Sequence, residues 1–313
     1  MDPRKSIEHS PPALCSDSPA TKIAALDLGS KTFKAVLGEV QDRRIVTRLL
    51  KKRLVGLGKD VAKNRGVIGT ETLAEAKRAL AELKSVCERE GSTTVVAVAT
   101  RAVRIARNGG ELLDAARELG IIAEIATGER EAELAYLAAT GGEANKLVCE
   151  LGSHSMQLAW RQSGRVESIS IAAGYERVYP DFIRDASDFA QSRDDYTAFL
   201  EREVQVLPAG SDALIGIAMN TMACFVTGMQ KAQVTDRYLS HARIRDKVRA
   251  LAALTRAEFT SLKAATPKAD KILSGLILLD HMLECSGHER VLIAEAELPV
   301  GLIIEQFEGA AAR

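Results

Sequence analysis

The sequence predicts an α/β protein built from two similar lobes, each with a mostly parallel sheet. Three observations carry this expectation. The chain has 313 residues, more than one compact core usually takes. Strand-like and helix-like stretches alternate over roughly the first 140 residues, the pattern of a layered α/β domain. A strand, an acid-x-Gly-Ser turn and a hairpin occur in that order twice, about 120 residues apart, which points to an internal duplication.

Residues 1–21, with Pro3, Pro11, Pro12 and several serines and charges, read as a flexible tail. The first lobe is expected over 22–140 and the second over 141–313. Ile23-Ala24-Ala25-Leu26 is an apolar run ending in Asp27-Leu28-Gly29-Ser30-Lys31-Thr32, and the alternating run Phe33 to Val40 completes a hairpin. Gly29 suits a turn that a Cβ would resist. Arg44 to Leu50 reads as a third strand, and Gly56-Leu57-Gly58 through Gly66 as a Gly- and charge-rich connection. From Thr70 to Glu90, Leu73, Ala76, Leu80, Leu83 and Val86 make one helical face, with Thr70 a start and Gly91 a stop. Thr93 to Ala99 is a β-rich buried strand, followed by a helix from about Gly110 to Leu119 and a strand Ile121 to Ile125. The pattern then restarts. Leu147-Val148-Cys149-Glu150-Leu151-Gly152-Ser153 repeats the strand and turn, Met156 to Trp160 alternates, Ser163-Gly164 turns, and Val166 to Ile171 is another strand.

Composition excludes several classes. With 46% hydrophobic and 27% charged residues the chain is ordinary for a globular protein. Lys+Arg and Asp+Glu balance at 42 each, so no global field favours nucleic acid or an anionic membrane. Cys15, Cys87, Cys149, Cys224 and Cys285 are scattered without a C-x-x-C pair, which fits free thiols in a reducing compartment. No apolar run approaches membrane-spanning length and the first residues lack a signal-peptide core, so the expected location is the cytoplasm.

The first turn has chemical content. Gly29, Ser30 and Thr32 offer backbone N–H and hydroxyl donors that suit phosphate oxygens, and Asp27 stands where a carboxylate could hold a metal through water. Taken alone, the hexamer reads rather as a hairpin turn with an incidental acid. Two lobes with facing Gly-containing turns would cradle a phosphorylated ligand in the cleft between them.

Further stretches narrow the choice. Asp27-Leu28-Gly29-Ser30, then Ala99-Thr100-x-Ala102-x-Arg104-x-x-Arg107-Asn108, then Gly128-Glu129-x-Glu131-Ala132-x-Leu134-x-Tyr136 follow in order. Glu150 with its acid-x-Gly repeat, Gly216, and Ala269-Asp270-x-Ile272-Leu273-x-Gly275 continue the series. Over about residues 22–305 this series resembles the exopolyphosphatase/guanosine pentaphosphatase (Ppx/GppA) family, in its short two-domain form. The resemblance implies a duplicated ribonuclease-H-like fold, shared with actin, sugar kinases and heat-shock chaperones, with an interdomain cleft. It implies hydrolysis of terminal phosphoanhydride bonds, assisted by magnesium or manganese. By position Glu131 matches the catalytic glutamate that activates water, and Arg104 matches a phosphate ligand. Asp27 and Glu150 match the paired acids near the metal, Glu150 counting also among the catalytic residues. Gly29, Ser30, Lys31, Gly152, Ser153, His154 and Ser155 would line the phosphate.

Departures from the family pattern cluster at the ligand-facing turns. Where the family has Asp-x-Gly-Gly-Gly-Ser-Thr-Glu, this chain has Glu150-Leu151-Gly152-Ser153-His154-Ser155-Met156-Gln157. Ser153 and His154 replace glycines that let amides approach phosphate, which should narrow or re-aim the pocket. Ala218 and Met219 stand at the paired glycines of the third turn. Ala294-Glu295-Ala296-Glu297-Leu298-Pro299-Val300-Gly301 replaces Ser-Asp-x-Gly-Leu-x-x-Gly. Lys31 replaces the usual Asn, and Glu133 the usual Arg. Lys31 adds a charge that could hold phosphate, and His154 a group that titrates near neutrality; the plainer reading of His154 is a turn cap or a side chain facing solvent. The expectation is a hydrolase acting on a nucleotide or small phosphorylated metabolite rather than long-chain polyphosphate. The alternatives are a catalytically decayed member that binds a nucleotide or protein partner, and a repurposed enzyme using His154 or Lys31. Three blander features complete the reading. The basic run Arg237, His241, Arg243, Arg245, Lys247, Arg249 reads as a solvated helix face. The apolar face Ile272, Leu276, Leu279, Leu283 packs within the second lobe or at a homodimer contact. Cys149 and Cys224 read as buried small hydrophobes.

Overall fold

A computed structural model describes residues 21–41, 44–152, 156–171, 173–174, 194–195, 198–202, 207 and 210–311. Residues 1–20 of the expected tail, and Ser153, His154 and Ser155, lie outside the described residues. The chain divides into two compact units, Met1–Gly142 with Glu297–Arg313, and Glu143–Ala296.

In the first unit the apolar run becomes β1 (Lys22–Leu28), the centre of a five-stranded sheet. Its order is β3-β2-β1-β4-β5, with β2 at Thr32–Gln41, β3 at Arg44–Leu54, β4 at Thr94–Ala99 and β5 at Ile122–Ile125. β1 to β3 form an antiparallel meander and β4 and β5 add in parallel, so the sheet is mixed and not mostly parallel as expected, because the hairpins stay in the sheet. β1 and β4 are nearly continuous apolar runs because both faces of the central strands are covered. β3 extends past the expected Leu50 through Lys51-Lys52-Arg53. Such charges are tolerated on an edge strand. Here Lys51 pairs with Glu82, and Arg53 pairs with Glu82 and, at 2.7 Å, with Glu75 of helix Thr70–Arg89. The expected connection at 56–66 contains a helix, Leu57–Lys63. Seven residues are too few to show a period, and only the buried pair Leu57 and Val61 anchors it.

The second unit repeats the plan. β6 (Lys146–Leu151) takes the place of β1, antiparallel to β7 (Met156–Gln162), which is antiparallel to β8 (Arg165–Ile171). β9 (Ala213–Ile217) and β11 (Arg290–Ala294) add in parallel, and β10 (Arg237–Ser240) closes the far edge. The order β8-β7-β6-β9-β11 matches β3-β2-β1-β4-β5 in sequence of pairing and in direction. The duplication expected from the two acid-x-Gly-Ser turns is therefore present as duplicated topology.

Helix Ala269–Ser286 settles where its apolar face goes. Ile272, Leu276, Leu279 and Leu283 are buried, and so are Leu273, Ile277, Leu278 and Met282, all in the second unit's core. A helix apolar almost all round is central in its own unit. The basic run lies on β10 and helix His241–Ala252, with Ile244, Val248 and Leu251 buried and Arg243 and Arg249 exposed.

One boundary is corrected. Residues 297–313, expected in the second lobe, belong to the first unit. Helix Leu298–Ala311 packs against helix Gly128–Thr140 and strands β1, β2 and β4. The approach is close: a Cβ on Gly301 would collide with the Leu134 carbonyl, and one on Gly38 with the Ile303 side chain. Arg130 ties the same layers, donating to Glu124 at 3.0 Å, Glu133 at 2.7 Å and Glu305 at 2.6 Å.

Candidate functional site

β1 ends at Asp27-Leu28, and the chain turns through Gly29-Ser30-Lys31 into β2. The glycine is needed for a close approach rather than for a left-handed backbone. A Cβ on Gly29 would lie 2.9 Å from the Thr32 carbonyl oxygen and 3.4 Å from Asp27 Oδ1. The turn is pinned from below. Gly58 N–H donates to the Ser30 carbonyl at 2.7 Å, and the N–H groups of Val55 and Gly56 donate to the Lys31 carbonyl at 3.1 and 3.0 Å. Ser30 is half-buried and Lys31 exposed.

Asp27 is mostly enclosed, with 14% of its side chain exposed. Burial pushes its carboxyl up to about 6; the Lys34 ammonium pulls it down, while Glu297 and Glu131 push it further up. Lys34 Nζ lies 3.8 Å from Asp27 Oδ2 and donates to Glu297 Oε1 at 3.1 Å. The motifs point to neither Lys34 nor Glu297. The signal for Lys34 lies in the hairpin itself, whose register sets Asp27 opposite Lys34. For Glu297 the only signal is an acid replacing a glycine before an apolar helix.

Glu131 lies in the first turn of helix Gly128–Thr140, whose cap Thr127 accepts from Arg130 N–H at 3.2 Å. The positive end of the helix favours an acid there. Arg104, on the short helix Arg101–Ile105 after β4, donates to Glu131 Oε1 at 2.5 Å and also to the Ala126 carbonyl. Ala126 is itself held to Ala99 at the end of β4. The exposed Glu129 carboxyl is held below its usual range by its own backbone N–H, then by Thr127, with Arg104 contributing. The ends of β1 and β4 and the start of one helix thus gather Asp27, Lys34, Glu297, Arg104 and Glu131 in one unit. A guanidinium fork can bind oxyanions, and the carboxylate beside it can accept a proton from water.

The sequence profile of the Ppx/GppA phosphatase family matches residues 39–308. The chain belongs to the Ppx/GppA phosphatase family. Solved structures agree in fold. An Aquifex aeolicus Ppx/GppA family member is similar at a TM-score of 0.79 and 23% identity, covering 93% of this chain and 99% of that one. A Cytophaga hutchinsonii exopolyphosphatase is similar at 0.63 and 23%, covering 92% and 98%. The duplicated α/β fold implied by the resemblance is the fold present.

In this Ppx/GppA chain, Glu150 and Gly152 lie in the second unit. Glu150 stands opposite Gln157 in the β6–β7 register, both half-buried. The third turn of the family pattern is filled. Met219 is fully buried, and its sulfur occupies the space where Gly216 lacks a Cβ. Asn220 donates to Thr235 Oγ1 at 2.8 Å. Ala218 keeps a left-handed φ of 63°, a conformation that glycine adopts without strain. Ala218→Gly therefore raises stability by about 1 kcal/mol, read as a melting temperature a few degrees higher. A fall in melting temperature would contradict the strain.

The resemblance implies that Asp27 and Glu150, which belong to different units, are paired acids near a magnesium ion. Among the described residues no three His, Cys, Asp or Glu side chains gather as a metal site. Asp27 already faces an ammonium. The Lys34 ammonium beside it makes the Asp27 carboxylate ill suited to a resident divalent ion. Cys149 is fully buried, its thiol pushed up to about 12 by burial, and Cys224 is half-buried against the second core, consistent with packing roles.

Proposed function

We propose that this Ppx/GppA protein hydrolyses a terminal phosphoanhydride, or a phosphate ester, of a nucleotide or small phosphorylated metabolite. The observation that carries the reading is the Arg104–Glu131 pair, 2.5 Å apart at a helix start, with Asp27 in the same unit. Arg104 binds oxygens of the transferring phosphoryl group, and its planar fork suits them. Doing so draws the guanidinium off Glu131. The freed carboxylate positions the attacking water and takes its proton. The turn Gly29-Ser30-Lys31 supplies amides, a hydroxyl and an ammonium to the remaining oxygens, since its carbonyls at Ser30 and Lys31 are engaged by residues 55–58. By the family likeness, Glu150 and the turn Gly152-Ser153-His154-Ser155 take the matching part in the second unit. The preference for a small substrate rests on the side chains that replace glycine there and on buried Met219 in the third turn. No described helix is long and apolar enough to cross a membrane. The described cysteines are free thiols, which supports a cytoplasmic location.

The test is phosphate release from nucleoside triphosphates, guanosine pentaphosphate, monophosphate esters and long-chain polyphosphate, with and without magnesium. Nucleotides are expected to turn over faster than long polyphosphate; the reverse order would overturn the size preference. A second reading, a binding protein without turnover, is favoured by the filled third turn at Met219 and the strained Ala218. Silence across the panel, with a nucleotide-dependent rise in melting temperature, would establish it.

A further inference from the structure

We propose that the Lys34 ammonium is a tethered cation that stands where a divalent ion would sit at Asp27, so that the first unit binds a phosphate oxyanion directly, without a metal. The proposal builds on the phosphate-binding reading above. Its basis is the Asp27–Lys34–Glu297 triad.

Asp27 and Lys34 are register partners across β1 and β2, so the sheet itself sets their side chains on one face at cross-strand distance. Lys34 Nζ reaches to 3.8 Å from Asp27 Oδ2, an ion-pair distance, and donates to Glu297 Oε1 at 3.1 Å. Glu297 arrives on the segment leading into helix Leu298–Ala311, which packs across β1 and β2. Two carboxylates therefore flank one ammonium, with 24% of the lysine side chain exposed. The ammonium has three N–H donors, and one hydrogen bond to Glu297 leaves donors for a ligand oxygen.

This arrangement opposes a divalent ion on two grounds. A cation at Asp27 would have to share the place with an ammonium held by two acids. Magnesium also demands near-octahedral geometry and keeps several waters, for which a carboxylate buried against a lysine leaves little scope. Phosphate needs positive charge and N–H donors: Lys34 supplies both, and the amides of the pinned turn Gly29-Ser30-Lys31 with the exposed Lys31 ammonium offset the two carboxylates beside it. Glu297 then positions the lysine through its 3.1 Å hydrogen bond.

The experiment reads binding, so its outcome does not depend on turnover. The full chain is titrated with magnesium chloride by calorimetry and melted with inorganic phosphate, with and without magnesium. The wild type is expected to show no saturable magnesium binding at millimolar concentration. Phosphate should raise its melting temperature by about 2 °C or more without metal. Lys34→Met should abolish the metal-free phosphate shift and acquire magnesium binding at least tenfold tighter than the wild type. Lys34→Arg should retain the phosphate shift. Saturable magnesium binding by the wild type, a phosphate shift that requires magnesium, or a phosphate shift unchanged in Lys34→Met would each overturn the proposal. Should Lys34→Met fail to fold, the wild-type titration and Lys34→Arg still decide. A protein silent in every phosphate-release assay but shifted by phosphate without metal would sink the hydrolase reading and leave this one standing.

Discussion

Glu131→Gln lowers phosphate release from the best substrate by about 10²–10⁴-fold while leaving the fold intact. A thousandfold loss corresponds to about 4 kcal/mol of transition-state stabilisation. The structural part of the same change is far smaller. The Arg104–Glu131 pair is roughly a third exposed on each side, so its loss costs at most about 1 kcal/mol. A neutral side chain in the first helical turn forfeits about 0.3–1 kcal/mol more. Glutamine keeps an oxygen that can still accept from Arg104, so the site's shape is retained and only proton acceptance is lost. Single-turnover phosphate release together with a melting curve separates the two effects. Turnover within twofold of wild type would remove Glu131 from the role of base.

Asp27→Asn stabilises the protein at neutral pH, by an amount on the order of 2 kcal/mol. Burial raises the Asp27 carboxyl from 3.8 to about 6, so the ionised form is disfavoured in the folded chain. A rise of that size corresponds to roughly 3 kcal/mol. Asparagine recovers less than this, because the Lys34 ammonium loses an anionic neighbour. The sign follows from proton binding. Between about pH 4 and pH 6 the folded state holds the proton more tightly than the unfolded chain, so wild-type stability falls as pH rises through that window. The contribution is complete below the unfolded value and gone above the folded one. The asparagine variant lacks this slope, and the two proteins converge near pH 4. Denaturant unfolding at about pH 4, 5, 6 and 7 reads it directly. A variant less stable than wild type at neutral pH would show that the Lys34 pairing outweighs the burial cost. Retaining a buried acid at such cost is the trade expected of a functional position.

The family, the duplicated sheet plan and much of the candidate site were readable from local pattern. Ile23 to Leu26 and Val95 to Ala99 announce central strands because every residue of a strand covered on both faces must be apolar. Leu73, Ala76, Leu80 and Leu83 announce a helix because one face meets the core at a period of 3.6. Asp27, Arg104 and Glu131 were found through short motifs, and such motifs are legible because each sits on a turn or helix start with its own local geometry.

Other features were not local and so were not legible. Helix Leu57–Lys63 is held by two buried side chains and is too short to show a period. Helix Leu298–Ala311 is plainly apolar, but apolarity does not say which core it joins; the close fit of Gly301 against Leu134 and Gly38 against Ile303 does. Lys34 and Glu297 meet across 263 residues of chain. The sequence alone determined the main strands and the long helix of the first lobe, that the plan is repeated, and which acids and arginine carry the motifs, because these depend on neighbours within a turn or two. The tertiary structure decided that Glu297 meets the Asp27–Lys34 hairpin pair and that the last helix completes the first unit. Those outcomes depend on packing between segments whose order in the chain carries no information about their contact.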